Sequence, residues 1–219
     1  MKVIDFSKDN SLINRYVEEL RDVNIQKDSM RFRRNIERIG ELIAYEISKT
    51  LDYSVKKVQT PLGVAEVSTH DDKIVVSTVF RAGLPMHMGF LNMFDNAENA
   101  FVSAFRSFKD VAHEEMEVSI DYIAAPSLQD KTILLVDPML ATGESIGLAW
   151  EALKTRGIPK KLHLACIVAS EQGVARLSEL FPQDDIILWC GVIDPSLNED
   201  NYIVPGLGDA GDLCYGEKI

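Results

Sequence analysis

The nine residues DPMLATGES, Asp137 to Ser145, join an acid, two hydroxyls and a run of small side chains directly behind the apolar pentad Thr132 to Val136. If the pentad is a buried strand and a helix starts near Glu144, Ala141 to Ser145 can offer successive backbone N–H groups to an anion. Gly143 allows close approach of the backbone, and the helix dipole adds about half a positive charge at that point. Asp137, at the strand tip, suits another task. A carboxylate there accepts hydrogen bonds from paired sugar hydroxyls and opposes positive charge developing on a sugar ring. On spacing alone, an ordinary strand-to-helix turn with Asp as a cap is equally admissible. A Walker loop is not, because GxxxxGK[ST] is absent.

Gly206, Gly208 and Gly211 satisfy GxGxxG, the dinucleotide fingerprint. That fingerprint must follow a strand, open a helix and leave room for a βαβ unit. Only eight residues follow Gly211, and Pro205 precedes the first glycine, so this reading is set aside. His70, His87, His113 and His163 are scattered without metal-ligand spacing and read as surface or packing residues. Glu114-Glu115 beside His113 reads as a solvated charge run, and Met86, Met88 and Met93 as apolar packing at the core or a subunit interface.

The elements that must hold these residues follow from periodicity. Phe32, Ile36, Ile39, Ile43 and Ile47 recur at steps of three and four, an amphipathic helix capped by Asp28 or Ser29. Thr60 to Gly63 makes a turn, and Lys73 to Phe80 reads as a strand ended by Arg81-Ala82-Gly83. A weakly patterned region follows, with an apolar stretch from Met86 to Phe94 and a strand candidate at Ala100 to Arg106. Thr132 to Val136, Leu162 to Val168 and Asp185 to Val192 are buried-strand runs. Helical stretches, Glu144 to Arg156 and Gln172 to Phe181, lie between them, with Gly157 closing the first. That alternation predicts parallel strands with right-handed crossovers in one α/β domain spanning 1–219. The last 26 residues, from Asp194, read as loop.

A net charge of −11 disfavours polynucleotide binding, since no basic footprint is evident. Arg31, Arg33 and Arg34 sit near Glu37 and Glu41 and read as a solvated helix face. No apolar run approaches the roughly 18 residues of a membrane span. The polar N-terminus lacks a secretory centre, and the three cysteines form no CxxC pair. A cytoplasmic protein is therefore expected.

ILLVDPMLATGES resembles the phosphoribosyl-pyrophosphate (PRPP) motif of type I phosphoribosyltransferases. Pro138, standing where many members carry a second acid, resembles the uracil phosphoribosyltransferase branch. FRAGL, Phe80 to Leu84, is similar to that branch's LRAGL, and YIVPGLGDAGD, Tyr202 to Asp212, to its C-terminal uracil-binding segment. The resemblance implies a mostly parallel central sheet flanked by helices, with a small hood formed by the terminal segments. It implies PRPP contacts from Arg81, Arg106, Asp137, Pro138, Met139, Leu140, Ala141, Thr142, Gly143, Glu144, Ser145 and Asp209. For uracil it implies Ile203, Gly208, Asp209 and Ala210, a backbone-rich pocket for a flat pyrimidine. Asp137, Arg81, Arg106 and Asp209 would carry the catalysis. Mg²⁺ would be carried mainly by PRPP, with help from Asp209.

The implied reaction turns uracil and PRPP into UMP and pyrophosphate, in a homodimer or larger homo-oligomer without nucleic-acid or membrane partners. Transfer to another base, or a non-catalytic PRPP- or nucleotide-sensing regulator on the same fold, are the alternatives. Two residues depart from the family pattern. Arg106 is not followed by the usual acids, and Leu213 stands where an Arg is common. A mobile loop between Arg106 and Ile120 is the expected lid.

Overall fold

The computed structural model describes residues 1–108, 116–182 and 186–218, and the side chains of 104–121 lie outside that description. In chain order the strands are β1 (Lys2–Asp5), β2 (Tyr53–Thr60), β3 (Gly63–His70), β4 (Ile74–Phe80), β5 (Glu98–Phe108) and β6 (Met116–Ala124). They continue with β7 (Thr132–Val136), β8 (Met139–Leu140), β9 (Lys161–Ser170), β10 (Ile187–Asp194), β11 (Ser196–Leu197) and β12 (Ile203–Val204). The helices are α1 (Leu12–Arg21), α2 (Ser29–Ser48), α3 (Gly83–Met93), α4 (Glu144–Lys154), α5 (Glu171–Leu180) and α6 (Ala210–Tyr215).

The main sheet runs β1-β10-β9-β7-β4-β5-β6, with β8 added beside β9. Every pairing is parallel except the edge pair β5–β6. The mostly parallel central sheet expected from the strand–helix alternation is therefore observed. The buried pentad explains why: Ile133 and Leu135 face one side, Leu134 and Val136 the other, and both sides are covered. On one side α1, α2 and α3 supply Leu20, Phe32, Ile39, Ile43 and Phe90. On the other, α4 and α5 supply Ile146, Ala149, Leu153 and Leu177.

The helix ends follow the expected chemistry. Asp28 caps α2 by accepting the Arg31 N–H, and Ser11 with Asn14 forms a capping box on α1. Thr60 to Gly63 turns as expected, inside a β2–β3 hairpin that forms a two-stranded sheet of its own.

One stretch left unassigned gains its element, and two expectations need correction. The stretch Met86 to Phe94 is mostly helix α3, its Met86, His87 and Phe90 buried; being apolar on nearly all sides, it carried little period to read. The segment after Asp194 is not simply loop, since it contains β11, β12 and α6. Elements this short show too few turns of any period to declare themselves. The arginine cluster is not uniformly solvated: Arg33 Nη1 donates to Cys214 O at 2.5 Å, joining α2 to α6.

Strand order reverses between β7 and β4, with β9 and β10 stacked beyond one and β5 and β6 beyond the other. Ligands in open α/β sheets bind beyond the carboxyl ends of strands at such a switch point. The loops leaving β4 and β7 there begin at Arg81 and Asp137.

Candidate active site

Above that switch point lies a cavity of about 590 Å³, within the range of small-molecule sites. Its floor comes from the β7–α4 loop: Asp137, Met139, Leu140, Ala141, Thr142, Gly143 and Ser145 all border it. Arg81 enters from the end of β4, and Ile203, Gly208, Asp209 and Ala210 close the far wall. The three separated motifs thus meet in one space. Pro138 and Glu144 do not border it. Pro138 is buried, its carbonyl accepting the N–H groups of Ile167 and Val168 at 3.0 Å each. Arg106 lies on β5 opposite Val118, with its side chain outside the described residues. Most of the expected lid, 109–115, is outside them too.

The loop holds its shape through main-chain ties. Asp137 N–H bonds Ala165 O at 3.1 Å, and β8 pairs with β9. Gly143 caps α4 at φ +79°, a conformation that L side chains rarely adopt. Beneath it, Ser170 Oγ donates to Ala141 O at 2.5 Å and accepts the Gly173 N–H at 2.8 Å, capping α5 in the same act. Ser170 carries no signal in the sequence, because its contact with the loop, 29 residues away, exists only once β9 lies beside β7.

Asp137 accepts the Met139 N–H at 3.2 Å. The carboxyl is partly open to the cavity, but the protein crowding it elsewhere removes water and pushes its pKa up to about 7. A carboxyl set near neutrality at a strand tip takes up its charge readily when a cation arrives. The two buried histidines contribute nothing comparable. His87 and His163 are buried away from the cavity, and burial lowers both pKa values, that of His163 to about 4. His163 accepts the Trp189 indole N–H, and His87 pairs with Asn99. His113 is outside the described residues.

On the far wall, Asp209 caps α6 by accepting the Asp212 N–H at 2.9 Å. The GxGxxG glycines do follow a strand and open a helix, but α6 has six residues and, among the described residues, is followed by no strand that would make a βαβ unit. Ile203 and Ala210 are buried, so the wall offers apolar surface beside backbone groups. Arg81 donates to Asp212 Oδ1 at 2.7 Å and to Gly216 O at 3.2 Å. It is thus both a cavity residue and a partner in an ion pair. Leu213, the departure from pattern, is partly buried against the core. Lys218, Ser103 and Asp200 also border the cavity. Lys218 stands beyond the Tyr202–Asp212 motif, so no sequence signal could have found it.

Comparison with known proteins agrees with this geometry. The uracil phosphoribosyltransferase family model matches residues 7–217. The uracil phosphoribosyltransferase of Porphyromonas gingivalis is 54% identical over 219 residues, covering the whole of both chains. That of Pyrococcus furiosus is 35% identical over 215 residues, covering 97% of this chain and 89% of its own. The solved AQ2163 protein of Aquifex aeolicus superposes with a TM-score of 0.86 at 28% identity, covering 99% of each chain. With its three motifs gathered at one switch point and its sequence matched from end to end, the chain belongs to the uracil phosphoribosyltransferase family.

Proposed function

We propose that this protein transfers the 5-phosphoribosyl group of PRPP to uracil, giving UMP and pyrophosphate in pyrimidine salvage. The observation that carries the reading is the convergence of the β7–α4 loop, Arg81 and the Ile203–Ala210 wall on one cavity. The loop's N–H groups suit the 5-phosphate, and the Arg81 fork suits pyrophosphate oxygens. Uracil offers two carbonyl acceptors and an N–H on a thin ring, which backbone groups at Gly208 and Ala210 can match while Ile203 packs beside it. Departure of pyrophosphate leaves positive charge on the ribose. Catalysis then rests on positioning and on the Asp137 carboxylate, whose ionisation an adjacent cation favours.

Among the described residues no group of three His, Cys, Asp or Glu is arranged to hold a metal, while Asp137, Asp200 and Asp209 border the cavity. That donor set fits Mg²⁺ carried mainly on PRPP oxygens, with Asp209 assisting. The ion, when bound, neutralises the leaving group. Among the described residues no helix is long and apolar enough to cross a membrane. With Cys166, Cys190 and Cys214 free, the cytoplasm is the compartment we assign.

The decisive experiment supplies PRPP, Mg²⁺ and single nucleobases and follows pyrophosphate. Release with uracil and not with hypoxanthine is expected. No release with uracil, under conditions where PRPP binds, overturns the assignment.

The working unit is a homo-oligomer. The β2–β3 hairpin leaves Tyr53, Val55, Val58, Leu62, Val64 and Val67 exposed, and an isolated two-stranded ribbon is marginal in water. A second copy of the chain covers it. Sedimentation should give a dimer or larger, and replacing Val55, Leu62 and Val64 with Lys should shift the protein towards monomer. A monomeric wild type overturns this reading.

A further inference from the structure

Helix α6 connects the two substrate subsites through one ion pair. Arg81 Nη2 reaches Asp212 Oδ1 at 2.7 Å, and Nη1 reaches Gly216 O at 3.2 Å. The guanidinium lies so close over the helix that a Cβ on Gly211 would sit 3.2 Å from Nη2 and 3.1 Å from Asp209 Oδ1. Asp209 in turn caps the helix through the Asp212 N–H. The residues that border the base side of the cavity and the residue that holds Arg81 therefore belong to one short rigid unit. Arg33 pins that unit from outside, donating to Cys214 O at 2.5 Å with its guanidinium 5.8 Å from the Tyr215 ring centre.

We infer that Asp212 is a positioning residue that couples the base pocket to the pyrophosphate clamp; the inference rests on the function proposed above. Two of the five guanidinium donors are engaged by α6 and its C-cap Gly216, which leaves three for an anion and keeps the long arm from sampling other rotamers. A base seated on Gly208 and Ala210 fixes α6 and, through Asp212, fixes Arg81. An anion on Arg81 fixes α6 for the base. Coupling of this kind is reciprocal. The Arg81 and Asp212 side chains are 39% and 35% exposed, so the coupling is modest, about fivefold in affinity.

Initial rates over a grid of PRPP and uracil concentrations test this in wild type, Asp212→Ala and Asp212→Glu. In wild type the KM for PRPP falls about fivefold as uracil rises to saturation. In Asp212→Ala it stays near its high value at every uracil concentration, and Asp212→Glu recovers part of the dependence. If the Ala variant does not fold, Asp212→Asn, which keeps an acceptor but not the charge, should show the weakened dependence. A variant that keeps the full dependence, or a wild type without any, overturns the coupling alone. Absence of any turnover with uracil removes the functional reading and the coupling with it.

Discussion

The two walls of the cavity are held by different parts of the chain. The phosphate-side loop is tied down largely by backbone: Asp137 N–H to Ala165 O, Pro138 O to two N–H groups of β9, and the β8–β9 pairing. The base-side segment is tied down largely by single side chains from far away in sequence. Gln26 Nε2 donates to both Leu20 O and Leu207 O, Arg33 to Cys214 O, and Arg81 to Asp212. Asp194 accepts from Arg21 and from the Gly206 N–H. The loop inherits its rigidity from the sheet, as an anion cradle of fixed N–H groups requires. The base wall is built from both ends of the chain, and each of these side-chain ties can be cut by one substitution.

The largest expected effect separates chemistry from architecture in the loop. Asp137→Asn keeps an acceptor for the Met139 N–H, so the loop geometry survives while the negative charge is lost. We expect kcat/KM to fall by about 10²–10³-fold. Wild-type kcat/KM should decline as pH drops below about 7, where burial has set the carboxyl, and the variant should lack that step. The stability effect has the opposite sign. An acid whose folded pKa is raised stabilises the fold fully below its ordinary value of 3.8 and loses that contribution as pH rises through about 7. The variant should therefore melt higher than wild type at pH 8, the gap closing as pH is lowered towards 4. Unchanged kinetics would remove the ribose role from Asp137.

That contrast also explains what was legible. The loop was readable because strand, turn and helix follow one another in sequence, so TILLV and Gly143 report on their own neighbours. The parallel core was readable for the same reason. Ser170 and Asp212 were not, because each reaches the site only through a contact 29 or 131 residues away. The base wall is legible through family resemblance alone, since α6 and β12 are too short to show a period. α3 escaped because a helix buried on most sides has no polar face to mark its period.

The smallest expected effects set one tie of each wall against the other. Ser170→Ala removes the donor to Ala141 O and the α5 cap, worth about 1 kcal/mol at a typical N-cap. Gln26→Ala removes two hydrogen bonds to carbonyls, each worth about 1 kcal/mol. If the walls are built separately, Ser170→Ala raises the KM for PRPP about fivefold and that for uracil less. Gln26→Ala does the reverse, with only the smaller change in PRPP that the Arg81–Asp212 link transmits. Each KM is read with the other substrate saturating, and a melting curve confirms that both variants are folded. Equal shifts in both constants for both variants would mean that the walls yield as one body, and the distinction between a backbone-held and a side-chain-held wall would then have no functional content.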